Sequence, residues 1–176
     1  GANNTLLGFA SGEAITTGAD NTFLGSAAGD ANTTASNNTA VGKGALTTNT
    51  TGLNFTAIGK DAANASTTAN NGVAVGTQAM NTATTASSTT AIGCTALYSL
   101  TTVDNNTAVG FASSYGSTTG GNNSALGAYS FYTNSTGVGN TAIGHQALFY
   151  NTTGSNGVAI GKDCLLYTSP SPRDDR

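Results

Sequence analysis

The stretch NTAIGHQALFYNTTGSNGVAIG, residues 140–161, says nearly the same thing twice: T-A-I-G ending at Gly144, then V-A-I-G ending at Gly161. The two glycines stand 17 residues apart. Followed through the chain, the phrase [TVS]-[ALF]-[ILV]-G recurs ten times, with its glycines at Gly8, Gly25, Gly42, Gly59, Gly76, Gly93, Gly110, Gly127, Gly144 and Gly161. Every interval is 17 residues, with no insertion. So strict a register requires each unit to superpose on the next, which is the logic of a solenoid.

The columns of this register carry the local chemistry. The residue before each glycine is branched and apolar, as in Val41, Ile58, Ile92 and Ile160. Two places earlier stands Thr, Ser or Val, and between them mostly Ala. Branched residues at alternating positions favour a strand, whose side chains alternate faces. The expectation is that Thr and Ile/Val/Leu line the interior while Ala faces outward, where another chain could pack closely. An unvarying glycine implies positive φ or a neighbouring backbone too close for a Cβ. The Asn pairs at 37–38, 105–106 and 122–123 suit turns and coil-to-coil amide ladders. The fold expected is all-β: a parallel β-solenoid, or β-roll, of ten 17-residue coils over residues 1–163. At ~4.8 Å per strand it makes a rod roughly 45 Å long.

Composition agrees. Charged residues make up 7% of the chain and Trp is absent, so large apolar groups and charges are both scarce. That is too lean for an ordinary globular core and too uncharged for a typical disordered segment. A net charge of −3 leaves no electrostatic footing for nucleic acid. No apolar run approaches the roughly 20 residues of a membrane helix. The chain opens on Gly1, so an internal piece of a longer protein is expected, without its caps, anchor or export signal.

From Cys164 the language changes. CLLYTSPSPRDDR, residues 164–176, has no counterpart in the repeat, which calls for Ala or Ser where Cys164 stands. Its codons can be read in frame as the end sequence and adapter of transposon-based DNA library preparation. Residues 164–176 are therefore expected to be a non-native tail, and the chain a fragment read from environmental DNA. Without the tail one cysteine remains, Cys94, which supports neither a disulfide framework nor a zinc site.

Catalytic patterns are missing. His145, the one histidine, shares its column with Lys43, Lys60, Thr77 and Phe111, a variable surface position. GVAIGK (157–162) and AVGKGA (40–45) lack the spacing of a phosphate loop. No acidic pair or Asp-rich calcium repeat is present. No enzyme activity, cofactor or metal is expected.

At NGVAIG (156–161) and NGVAVG (71–76) the chain resembles the head repeats of trimeric autotransporter adhesins of the YadA type. NTAIG-x-QAL (140–148) with NTTGSN (151–156) is also similar to repeats of phage tail fibres and bacterial surface fibres. The resemblance covers residues 1–163. It implies a left-handed parallel β-roll, three chains side by side, in an extracellular adhesin at the cell surface or in a virion fibre. The family's repeat is shorter and its phrase carries Val where Thr mostly stands here, so the extra residues lengthen a turn. The expected partners are copies of the same chain, as a homotrimer or by lateral self-association, and a host glycan or surface protein. The alternative is a monomer whose interior includes the Leu46 and Leu148 column.

Two surface columns are candidate sites. One changes along the rod from Glu13, Asp30, Thr47, Asn64 and Asn81 to Tyr98, Tyr115, Tyr132 and Phe149. These four rings are expected to stack, either as a stabilising ladder or as a platform for sugar rings. The other is Thr17, Thr34, Thr51, Thr68, Thr85, Thr102, Thr119, Thr136 and Thr153, preceded by a second Thr column broken only at Ser135. A flat Thr array suits an ice-binding, antifreeze surface, although adjacent residues of a strand point to opposite sides. Three functions stay open: an adhesive fibre segment, an ice-binding solenoid, and a ligand-free spacer. Ten N-x-[ST] sequons, from Asn3 to Asn151, add glycosylation if the source performs it.

Overall fold

The computed structural model describes residues 1–166. Ten three-residue strands form in chain order: β1 (Thr5–Leu7), β2 (Thr22–Leu24), β3 (Thr39–Val41), β4 (Thr56–Ile58), β5 (Val73–Val75), β6 (Thr90–Ile92), β7 (Thr107–Val109), β8 (Ser124–Leu126), β9 (Thr141–Ile143) and β10 (Val158–Ile160). They lie side by side in one parallel sheet, β1 through β10. Pairing does not slip: Thr39, Ala40 and Val41 lie beside Thr56, Ala57 and Ile58, and these beside Val73, Ala74 and Val75. The chain is a β-solenoid with one coil per 17 residues, and no helix occurs among the described residues.

The strands are turned over relative to the expectation. Ala40, Ala57, Ala74, Ala91, Ala108, Ala142 and Ala159 are completely buried. Ile58, Ile92 and Leu126 are 39%, 40% and 50% exposed, and the Thr column beside them also faces out. The Ala column is therefore interior, not a surface for a neighbouring chain. The reason is volume. The coil interior also receives Leu46, Met80, Leu97, Phe131 and Leu148 from the other wall, all buried. Opposite a Leu or Phe, little more than a methyl group fits. The interior holding the Leu46 and Leu148 column is thus the observed one.

Departures from the column pattern confirm this volume rule. β2 carries Phe23 in the alanine column, and the same coil has Gly29 where the next has Leu46. A Cβ on Gly29 would lie 2.4 Å from Phe23 Cε2. Phe55 intrudes at the asparagine column, and Gly72 stands one coil above it. A Cβ on Gly72 would lie 2.1 Å from Phe55 Cε2. The rings of Phe23 and Phe55 thus each occupy space that a side chain on the facing glycine would need.

Buried amides tie the coils together. The Asn38 N–H donates to Asn21 Oδ1 at 3.0 Å, and the Phe55 N–H to Asn38 Oδ1 at 2.8 Å. Asn38 Nδ2 donates to the Gly52 carbonyl at 2.8 Å. Asn106, Asn123, Asn140 and Gly157 continue the ladder in the later coils. A second arrangement is local: Asn49 accepts from the Gly52 N–H and donates to the Gly52 carbonyl, and Asn134 with Gly137 and Asn151 with Gly154 do the same. Asn32 is the exception. Ala35 stands three residues on instead of Gly, and neither Asn32 Oδ1 nor Nδ2 finds a partner. A Cβ on Gly52 would lie 2.5 Å from Asn49 Oδ1, which explains why Ala35 is incompatible with the bonded arrangement.

Outside the sheet the chain bends through left-handed residues. The column of Leu46, Met80, Leu97, Phe131 and Leu148 has φ between 50° and 54°. Side chains this large rarely adopt such values, at a cost of about 1–2 kcal/mol each. Inter-coil bonds hold them there: the Leu46 N–H donates to Ala62 O and the Met80 N–H to Ala96 O, both at 2.9 Å. In the glycine column φ lies between 122° and 141°. A Cβ on Gly93 would stand 2.3 Å from Gly110 O, so conformation and close approach both exclude a side chain.

The coil does not stop at Asp163. Cys164 packs against the core, and its carbonyl accepts from the Leu148 N–H at 2.9 Å. Leu165 takes φ 49°, as Leu148 does one coil below with φ 52°. The expected boundary between residues 163 and 164 is therefore no break in the backbone path, because Cys substitutes for Ala in size and Leu165 falls on the leucine column. Residues 167–176 of the expected tail lie outside the described residues.

Candidate interaction surfaces

The outer face of the sheet follows from the inverted strands. Two columns stand on it: Thr5, Thr22, Thr39, Thr56, Val73, Thr90, Thr107, Ser124, Thr141 and Val158, and, two residues on, the Leu, Val and Ile column from Leu7 to Ile160. Neither column contains a charged residue in ten coils. With ~4.8 Å between rows the face is roughly 45 Å long. It is a mixed stripe of hydroxyl and aliphatic side chains, two columns wide and partly exposed along its length. The sequence reading missed it by placing these columns inside. The signal was present: the Ala column hardly varies after Phe23, as a tight interior requires, whereas its neighbour accepts Leu, Val and Ile freely.

The aromatic column lies where the register puts it, half-buried. Tyr98 and Tyr115 stack with centroids 5.1 Å apart and planes 7° from parallel. Tyr115 and Tyr132 follow at 5.3 Å and 18°, then Tyr132 and Phe149 at 4.9 Å and 15°. Each ring covers the face of the next, so the stripe offers edges to solvent. Tyr129 meets Phe111, Tyr132 and His145 edge-on and joins the ladder to the adjoining column. In earlier coils the same column is linked by polar bonds, as from Asn64 Nδ2 to Thr47 Oγ1 at 3.2 Å.

The Thr17 to Thr153 column is exposed throughout. The preceding column is not free. Thr16 Oγ1 donates to Thr33 O, Thr33 to Thr50 O, Thr50 to Thr67 O and so on to Ser135, at 3.0–3.2 Å. One of the two Thr columns is therefore a structural ladder, and one hydroxyl column faces water. Among the sequons, Asn32, Asn49, Asn134 and Asn151 are buried. Only Asn3, Asn37, Asn54, Asn64, Asn105 and Asn122 could carry sugar on the folded rod.

Charged groups are few and solvated. His145 Nδ1 lies 4.0 Å from Asp163, while Lys60–Asp61 and Lys162–Asp163 pair neighbours along the chain. Exposed pairs of this kind contribute about 0–1 kcal/mol. Among the described residues there is no cavity and no cluster of three His, Cys, Asp or Glu side chains fit for a metal. No helix there is long and apolar enough to cross a membrane. No family model, curated protein or solved structure matches the chain.

Proposed function

We propose that this chain is a rigid, non-enzymatic segment of an extracellular fibre, held side by side with copies of itself through the outer face of the sheet. The observation that carries the reading is the uncharged face of Thr and Val/Ile/Leu, continuous over ten coils. A standard stable interface buries about 800 Å² per partner. A stripe only two side-chain columns wide falls short of that, so association is weak for ten coils and grows with coil number. The homotrimer implied by the adhesin resemblance is one way of closing such faces on each other. The exposed Thr column and the aromatic edge then remain for a glycan or surface protein.

Sedimentation of the parent chain and of an Ile58→Lys/Ile92→Lys variant tests the assembly. The parent sediments as a concentration-dependent oligomer and the variant as a folded monomer. A parent that stays monomeric at high concentration defeats the reading. The unbroken exposed Thr17 to Thr153 column favours ice binding as a second reading. The loss of its partner column to inter-coil bonding places it behind the first. Thermal hysteresis in the parent, lost on replacing Thr68, Thr85 and Thr102 by Lys, would reverse that order. A chain that neither associates nor binds glycans, proteins or ice is a spacer.

A further inference from the structure

The tyrosine ladder closes its ring faces to a flat ligand but brings phenols into near-parallel register. Tyr98, Tyr115 and Tyr132 are consecutive rungs, with centroids 5.1 and 5.3 Å apart. Each is only half-buried, so a soluble oxidant can reach it. The inter-coil hydrogen bonds hold the rungs together, which gives a bimolecular coupling the high effective concentration of an intramolecular one.

We propose that Tyr115 is an oxidative cross-linking site, coupling to Tyr98 or Tyr132 to form a dityrosine between adjacent coils. The oxidant is a peroxidase-type system in which hydrogen peroxide accepts the electrons. Each of two phenols loses one electron, and its O–H proton passes to solvent. The radicals join through the ring carbons ortho to oxygen, forming one C–C bond. The two displaced ring hydrogens then move to the oxygens and restore both phenols. The balance is two tyrosines and one peroxide giving one dityrosine and two waters. Phe149 ends the series because it has no phenol, and Tyr115 is shared by both stacked pairs. The product would covalently fasten neighbouring coils of the rod.

The test treats the full chain at low concentration with a peroxidase and hydrogen peroxide. The expected product is a single chain lighter by two hydrogens, with dityrosine fluorescence and a proteolytic peptide joining Tyr115 to Tyr98 or Tyr132. Oxygen added at Met80 or Cys94 raises the mass and is thereby distinguished. Tyr115→Phe preserves the stacked ring and is expected to lower the yield of peptides joined along the ladder at least tenfold, a Tyr129–Tyr132 product being told apart by its own peptide, whereas Tyr150→Phe leaves the yield unchanged. The same treatment in urea is expected to lose the intrachain product. The proposal is overturned by no coupling, by cross-chain dimers alone, by an undiminished yield in Tyr115→Phe, or by an equal yield from the unfolded chain.

Discussion

Exchanging a ring between the walls of one coil tests the packing account at its most specific point. Phe23 fills the space that a side chain on Gly29 would need, its ring lying 2.4 Å from the position of a Gly29 Cβ. One coil later the same two columns hold Ala40 and Leu46, both completely buried. Phe23→Ala alone empties the site, and a buried Phe→Ala costs about 3–5 kcal/mol. Gly29→Leu alone forces a second large side chain into the same volume, costing about 1–3 kcal/mol or more. The double variant rebuilds the Ala40 and Leu46 pair. Its backbone need not move, since Gly29 has φ 58° and Leu46 φ 54°. What remains is the left-handed Leu, about 1–2 kcal/mol, partly offset by the entropy lost less on folding when Gly is removed. The double variant should therefore lie within about 2 kcal/mol of the parent, although the single costs sum to at least about 4 kcal/mol. Equilibrium urea denaturation followed by circular dichroism measures all four proteins in one cycle. Additive costs in the double variant would refute the shared volume.

Three further outcomes follow from individual residues. Asn32→Ala removes two buried, unpartnered polar atoms and is expected to be neutral or stabilising, whereas Asn49→Ala leaves the buried Gly52 N–H without its acceptor, the Gly52 carbonyl keeping its bond from Asn38, and costs about 1–3 kcal/mol; equal losses in urea melts would contradict the pairing rule. Gly93→Ala meets Gly110 O at 2.3 Å, while a Cβ on Gly161 meets nothing within 4 Å, so Gly93→Ala should lower the melting temperature far more. Truncation after Asp163 should destabilise more than truncation after Leu166, because it removes Cys164 from the core and the acceptor of the Leu148 N–H. Equal melting temperatures for the two truncations would show that residues 164–166 add nothing.

The repeat, the parallel sheet, the ten strands and the glycine requirement were all legible, because a fixed 17-residue register leaves one way to stack. The asparagine ladder was legible as well, since like amides stacked one coil apart bond to each other's backbone. Which strand face points inward was not. Alternation fixes two faces without saying which is buried, and apolarity alone favoured Ile58 and Ile92 over Ala57 and Ala91. The deciding fact is the width of the interior, set by Leu46, Met80 and Leu97 arriving from the opposite wall. Those residues take left-handed φ, against their intrinsic preference, so local propensity could not announce that wall. The aromatic column and the stacking of its rings were legible from the 17-residue register, whereas the edge-on contacts of Tyr129 with its neighbours emerged only with the ring orientations.

From β3 on, each strand carries Ala inward and Ile, Val or Leu outward. Thermal melting of Ala91→Leu and Ile92→Lys, at a concentration where the parent is monomeric, tests it directly. Ala91 is completely buried and Ile92 is 40% exposed. A melting temperature sharply lowered for Ala91→Leu, from overpacking the coil, and close to the parent for Ile92→Lys is the expected result. An unfolded Ile92→Lys beside a tolerant Ala91→Leu would mean that the strands face the other way.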